Sequence, residues 1–66
     1  MRVLVNGEGA DVRGAQNVAE LIDRYKMTPQ TVLVEHNGVA LHRREWRERA
    51  LVEGDRIEII HVVAGG

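Results

Sequence analysis

The chain has 66 residues, nine Lys and Arg against ten Asp and Glu, a net charge of −1 with histidine neutral, and no cysteine. The missing cysteine excludes a disulfide framework and any side-chain thiolate chemistry, and the even charge balance is poor footing for a nucleic-acid binder, which needs a basic excess. At this length the chain makes one domain, residues 1–66, that buries about 60% of the surface its unfolded form exposes; with no Phe, one Trp and one Tyr, its core is aliphatic.

Arg2-Val3-Leu4-Val5-Asn6 reads as a first strand, and Asn6-Gly7 is a tight-turn dipeptide. Ala10 to Arg13 then returns as a weaker second strand, closed by Gly14. A lone hairpin is unstable in water and needs something packed on its face. Asn17-Val18-Ala19-Glu20 has the form of a helix start, with Asn17 as N-cap and Glu20 reaching back. Val18, Leu21, Ile22 and Tyr25 follow at i, i+3, i+4 and i+7 and form one apolar face. The helix is expected to end near Lys26, because Pro29 biases Thr28 toward extended backbone.

Thr31 to His36 is a third strand, Asn37-Gly38 a second hairpin turn, and Val39-Ala40-Leu41 a short return. His42 to Ala50 is polar and arginine-rich around Trp46, which predicts a short helical turn or ordered loop. Glu53-Gly54-Asp55 is a tight turn that launches a last strand at Arg56. The order β-β-α-β-β-β implies an α+β two-layer domain, a mixed sheet of about five strands on one helix. The last strand belongs beside the first, parallel to it, in the middle of the sheet, since these are the two most apolar segments.

The last ten residues, Ile57 to Gly66, begin as a β-branched strand and lose side-chain bulk toward Ala64-Gly65-Gly66. A glycine pair has nothing to pack and loses much entropy on ordering, so the tail is expected to be flexible. What it offers is a thin backbone that can enter a narrow channel and present the Gly66 carboxylate to another protein's active site. That carboxylate is ionised at pH 7; the chain itself has no glycine-rich phosphate loop and no activated nucleophile. The expected class is therefore a carrier and not an enzyme.

Strand alternation puts Val3 and Val5 with Ile57 and Ile59 on the helix side. It leaves Leu4 and Ile60, with Val62 beyond, on the open face as a candidate partner-binding patch. His36, His42 and His61 match no metal-ligand spacing and are read as facing solvent or the tail; no metal is expected. Trp46 is read as an anchor at the edge of the core. Arg43, Arg44, Arg47 and Arg49, interleaved with Glu45 and Glu48, are read as a solvated, self-compensated segment. No apolar run approaches the ~20 residues of a membrane span and no signal-peptide pattern opens the chain, so the expected location is the cytoplasm.

Val5-Asn6-Gly7-Glu8, Val18-Ala19-Glu20-Leu21, Val34-Glu35 with Asn37-Gly38, Arg44-Glu45-Trp46, Gly54-Asp55-Arg56-Ile57-Glu58-Ile59 and Gly65-Gly66 occur here in one order. That order resembles the ubiquitin-like β-grasp proteins and, within them, the ThiS family of thiamin-biosynthesis sulfur carriers. His36 departs from the small or apolar residue more common at its position. The resemblance implies adenylation of Gly66 by an E1-like adenylyltransferase that uses ATP, with no cofactor bound by the carrier. A sulfurtransferase or other sulfur donor would then convert Gly66 to a thiocarboxylate, and thiazole synthase would take the sulfur. A molybdopterin-type carrier and a non-covalent β-grasp interaction domain remain the alternatives.

Overall fold

The computed structural model describes residues 1–62. Two Asn-Gly pairs set the hairpins. Asn6 and Asn37 both sit at φ 52°, and Gly7 and Gly38 at 84°. This left-handed backbone is where Asn and Gly are tolerated, and it matches the twist of the flanking strands. The first turn joins β1 (Arg2–Val5) to β2 (Glu8–Asp11), and the second joins β3 (Val32–His36) to β4 (Val39–Leu41). β2 starts two residues earlier than the sequence predicts because the two-residue turn dictates the register, pairing Val5 with Glu8 and Arg2 with Asp11.

Between the hairpins lies α1 (Val18–Arg24). The Asn17 side chain caps it by accepting from the Glu20 backbone N–H at 2.9 Å. Glu20 reaches back one residue further than a capping box requires and accepts from the Gln16 N–H at 2.7 Å. Val18, Leu21 and Ile22 are buried as expected. Tyr25 is not: it is the C-cap and lies exposed, because Lys26 turns left-handed (φ 57°) and ends the helix before its ring reaches the core. Thr31 likewise belongs to a 3₁₀ turn, Pro29–Thr31, and not to β3. The arginine-rich segment is a 3₁₀ helix, Arg43–Glu48, with Glu45 accepting from the His42 N–H at 2.7 Å.

The last strand, β5 (Arg56–His61), completes a five-stranded sheet in the order β2-β1-β5-β3-β4. It runs parallel to β1 and antiparallel to β3, so the chain's two most apolar segments meet in the middle. Val3, Val5, Val32, Val34, Ile57 and Ile59 form the inner sheet face, and they join Val18, Leu21, Ile22 and Trp46 in one core. Trp46 is the predicted anchor; its indole Nε1 finds no acceptor among the described residues.

Leu21 is fully buried at the centre of the apolar face of α1. Leu21→Ala is expected to lower stability by about 2–5 kcal/mol through lost burial and the cavity left behind. Chemical denaturation checks this; a variant as stable as wild type would contradict the placement of α1.

Candidate functional site

Gly66 follows the last residue of β5 by five positions in the sequence, and β5 itself is fixed along both edges. On the β1 side, Leu4 N–H donates to the Asp55 carbonyl and Asn6 N–H to that of Ile57, both at 2.8 Å. β1 then turns away, and the Asn6 side chain replaces it. Its Oδ1 accepts from the Ile59 N–H at 2.7 Å, and its Nδ2 donates to the Ile59 carbonyl at 3.3 Å. On the other side, β3 follows β5 through its whole length, and the Val62 N–H donates to the Thr31 carbonyl at 2.8 Å.

The start of β5 is held by a partly buried polar cluster centred on His36 and Asp55. Asn37 Oδ1 accepts from the Arg56 N–H at 2.8 Å, and Asn37 Nδ2 donates to Asp55 Oδ1 at 3.0 Å. Asp55 Oδ2 accepts from the Val52 N–H at 2.9 Å and meets His36 Nε2 at 2.8 Å. Arg49 Nε donates to His36 Nδ1 at 3.2 Å. That donor leaves Nδ1 as the acceptor, so Nε2 carries the hydrogen given to Asp55. His36 is therefore a buried structural residue, correcting the expectation that it faces solvent or the tail. The error came from weighing histidines only as metal ligands or surface groups; the buried partner Asp55 lies 19 residues away. Burial pushes the Asp55 carboxyl upward, but hydrogen bonds from Asn37, His36 and Val52 outweigh it and hold the group below its ordinary value of 3.8.

The open face of the sheet is where alternation placed it, with Leu4, Ile60 and Val62 exposed. The patch has a different centre, however. Ile60 lies directly opposite Leu33, which is 56% exposed, while Val62 continues beyond it. Leu4 lies opposite Arg56, four residues along β5 from Ile60, so it does not share the patch. Leu33 was missed although its signal was present: it stands between Val32 and Val34, which both face the core.

Among the described residues no group of three His, Cys, Asp or Glu is placed to hold a metal, and His42 and His61 are exposed. No helix there is long and apolar enough to cross a membrane. A groove lies between α1 and the Arg43–Glu48 segment, on the helix side of the sheet. Glu20 and Asp23 line it with Arg43, Arg44 and Arg47, so it offers no single sign of charge to a ligand and is not taken as the site. Ala64, Gly65 and Gly66, the predicted tail, lie outside the described residues.

A sequence model of the ThiS family matches residues 3–66. The chain belongs to the ThiS family. Among solved structures it is similar to the crystal structure of the thiamine biosynthesis protein ThiS from Geobacter metallireducens, with 35% identity and a TM-score of 0.84 over the full length of both chains. The ThiS-family β-grasp fold of five strands on one helix is thus shared by both. The sulfur carrier protein ThiS of Escherichia coli K12 is 26% identical over 66 residues, covering all of both chains. A thiazole synthase from Magnetococcus marinus is 29% identical over 66 residues. There the match takes in all of this chain but only 20% of the other, so the chain spans about a fifth of that relative's length.

Asp55→Asn sets an amide N–H against other donors and is expected to cost about 1–3 kcal/mol at neutral pH. Because the folded-state pKa is lowered, the stability Asp55 contributes is present above its ordinary value of 3.8 and is lost as pH falls through the folded value. The gap between wild type and variant, followed by urea denaturation, is expected to shrink as pH drops below 3.8. A gap independent of pH would contradict the ionised cluster.

Proposed function

We propose that the chain is a sulfur carrier of thiamin biosynthesis whose reactive group is the carboxylate of Gly66. The observation that carries this reading is the family match, which runs from residue 3 through Gly65-Gly66 to residue 66. The end-to-end alignment with the E. coli sulfur carrier supports it. In the proposed chemistry a Gly66 carboxylate oxygen attacks the α-phosphorus of ATP and pyrophosphate leaves. The mixed anhydride so formed is open to a sulfur nucleophile at its acyl carbon. When the nucleophile is hydrosulfide, AMP departs and a thiocarboxylate remains; when it is the persulfide of a sulfurtransferase, AMP departs to leave an acyl disulfide, and a thiol reductant cleaves its S–S bond to release the thiocarboxylate. An E1-like adenylyltransferase supplies the phosphate-binding groups and stabilises the charge that develops. A sulfurtransferase or other donor supplies the sulfur.

Each part of this chain then has a separate task. The sheet fixes β5 through Val62, four residues before Gly66, and Gly65 and Ala64 keep the final approach narrow enough for an active-site channel. The apolar patch joins Leu33 on β3 to Ile60 on β5 and to Val62 just past it, beside the strand that leads to the tail, where a docked enzyme receives both together. Thiazole synthase is the proposed acceptor. Its support is the Magnetococcus protein of that name, in which a segment similar to this whole chain is joined to a much longer polypeptide.

Incubation with ATP, the adenylyltransferase and a sulfur donor is expected to raise the intact mass by one oxygen-to-sulfur exchange. The same protein without Gly66 is expected to melt as wild type does and to gain nothing. A thiocarboxylate on the truncated chain, or an unchanged mass for wild type, would overturn the reading.

A further inference from the structure

Arg43, Arg44 and Arg47 line the groove between α1 and the Arg43–Glu48 segment, and all three are exposed. Among the described residues none of them has a carboxylate within 4.0 Å. Glu45, which alternates with them in sequence, is turned back onto the His42 N–H. Glu20 and Asp23 line the groove from α1, and its volume of about 1070 Å³ exceeds what most small-molecule sites enclose. Its position follows from the sheet. Leu41 of β4, Val34 of β3 and Ile59 of β5 stand side by side, with β4 and β5 two strand spacings, about 10 Å, apart. Arg43 comes two residues after Leu41 and Val62 three after Ile59, at the same end of the sheet. Gln30, also in the lining, adjoins Thr31, whose carbonyl accepts from the Val62 N–H. The groove therefore reaches the end of the sheet from which the chain continues to Gly66, on the side opposite Leu33 and Ile60.

We propose that this groove docks the sulfur-donor protein, through a segment that sets an aspartate or glutamate against Arg43, Arg44 and Arg47. The inference rests on the carrier reading and gives a partner to the face which that reading leaves unused. A mixed anhydride is open to water as well as to sulfur, so it is kept in the adenylyltransferase until sulfur arrives. The donor thus meets a carrier whose open sheet face is already covered. The helix side is the face still exposed, and its groove reaches the origin of the tail. Charge selects a protein segment as the occupant. Nucleic-acid and lipid phosphates would meet Glu20 and Asp23 along with the arginines. A protein segment can instead give a carboxylate to one wall and N–H donors to the other.

The test uses the full chain, its adenylyltransferase and ATP, with thiocarboxylate read by mass from two sulfur sources. Hydrosulfide needs no docking; a persulfidated sulfurtransferase, supplied with a thiol reductant, does. Arg43→Gln with Arg44→Gln and Arg47→Gln removes three exposed charges. This triple variant is expected to melt, to release pyrophosphate and to load from hydrosulfide as wild type does. From sub-saturating sulfurtransferase at low salt it is expected to load about tenfold more slowly, and the two proteins converge as sulfurtransferase or salt rises. Arg13→Gln with Arg24→Gln, outside the groove, is expected to load like wild type from either source. Equal loading of triple variant and wild type from the sulfurtransferase overturns the proposal. So does the same deficit with hydrosulfide, in pyrophosphate release, or in the Arg13 and Arg24 control. A wild-type dimer that is lost in the triple variant also overturns it, by assigning the groove to a second copy. If hydrosulfide does not load wild type, the carrier reading falls and takes this inference with it. If hydrosulfide loads wild type and the sulfurtransferase does not, only the docking inference falls.

Discussion

The structure depends on β5 being hydrogen-bonded along both edges. It is the last strand made, yet it lies in the middle of the sheet, so the two hairpins remain separate until it inserts. A two-stranded hairpin is marginal in water, and each hairpin here gains a sheet only through β5. The insertion also closes the core, because Ile57 and Ile59 complete the inner face against which Leu21 and Ile22 pack. Two asparagines reinforce it from opposite sides. Asn6 holds both backbone groups of Ile59, and Asn37 holds the N–H of Arg56 while donating to Asp55. The residues that make the hairpin turns therefore also hold the strand that joins the hairpins.

Much of this is legible in the sequence because it rests on local rules. Asn-Gly demands a tight turn, alternation assigns Val3, Val5, Ile57 and Ile59 to one face, and the apolar spacing of Val18, Leu21 and Ile22 defines one helix. The parallel central pair follows from the same patterning. The parts that were not legible are those where distant residues meet. Nothing in the spacing of His36 and Asp55 announces that they touch, nor that Arg49 completes the cluster. Tyr25 fits the helical period, but the period says nothing of where the left-handed residue after it ends the helix. Leu4 is on the predicted face yet belongs to another part of it, since the register of β1 on β5 was not available from alternation alone. The same missing register concealed Leu33 beside Ile60.

On the proposed function, the division between a rigid strand and a narrow tail has a physical rationale. An acyl-transfer partner must recognise the carrier without obstructing the group being transferred. Recognition by side chains on β5 and β3 leaves Ala64, Gly65 and Gly66 free of any such duty, so they can be selected for thinness alone. The clamps of β5 fix the origin from which the tail extends. Loosening that origin by even one register step would exchange the inner and outer faces and move the patch into the core.

Ile60 is where these requirements meet, being on the clamped strand, on the open face, and six residues before Gly66. The most direct measurement is a paired one on Ile60→Asp: urea denaturation of the free protein and calorimetric affinity for the adenylyltransferase. Stability is expected to stay within about 1 kcal/mol of wild type, as for an exposed position, while binding weakens by about 2 kcal/mol or more. A folded variant that binds and is loaded like wild type would contradict docking through this face.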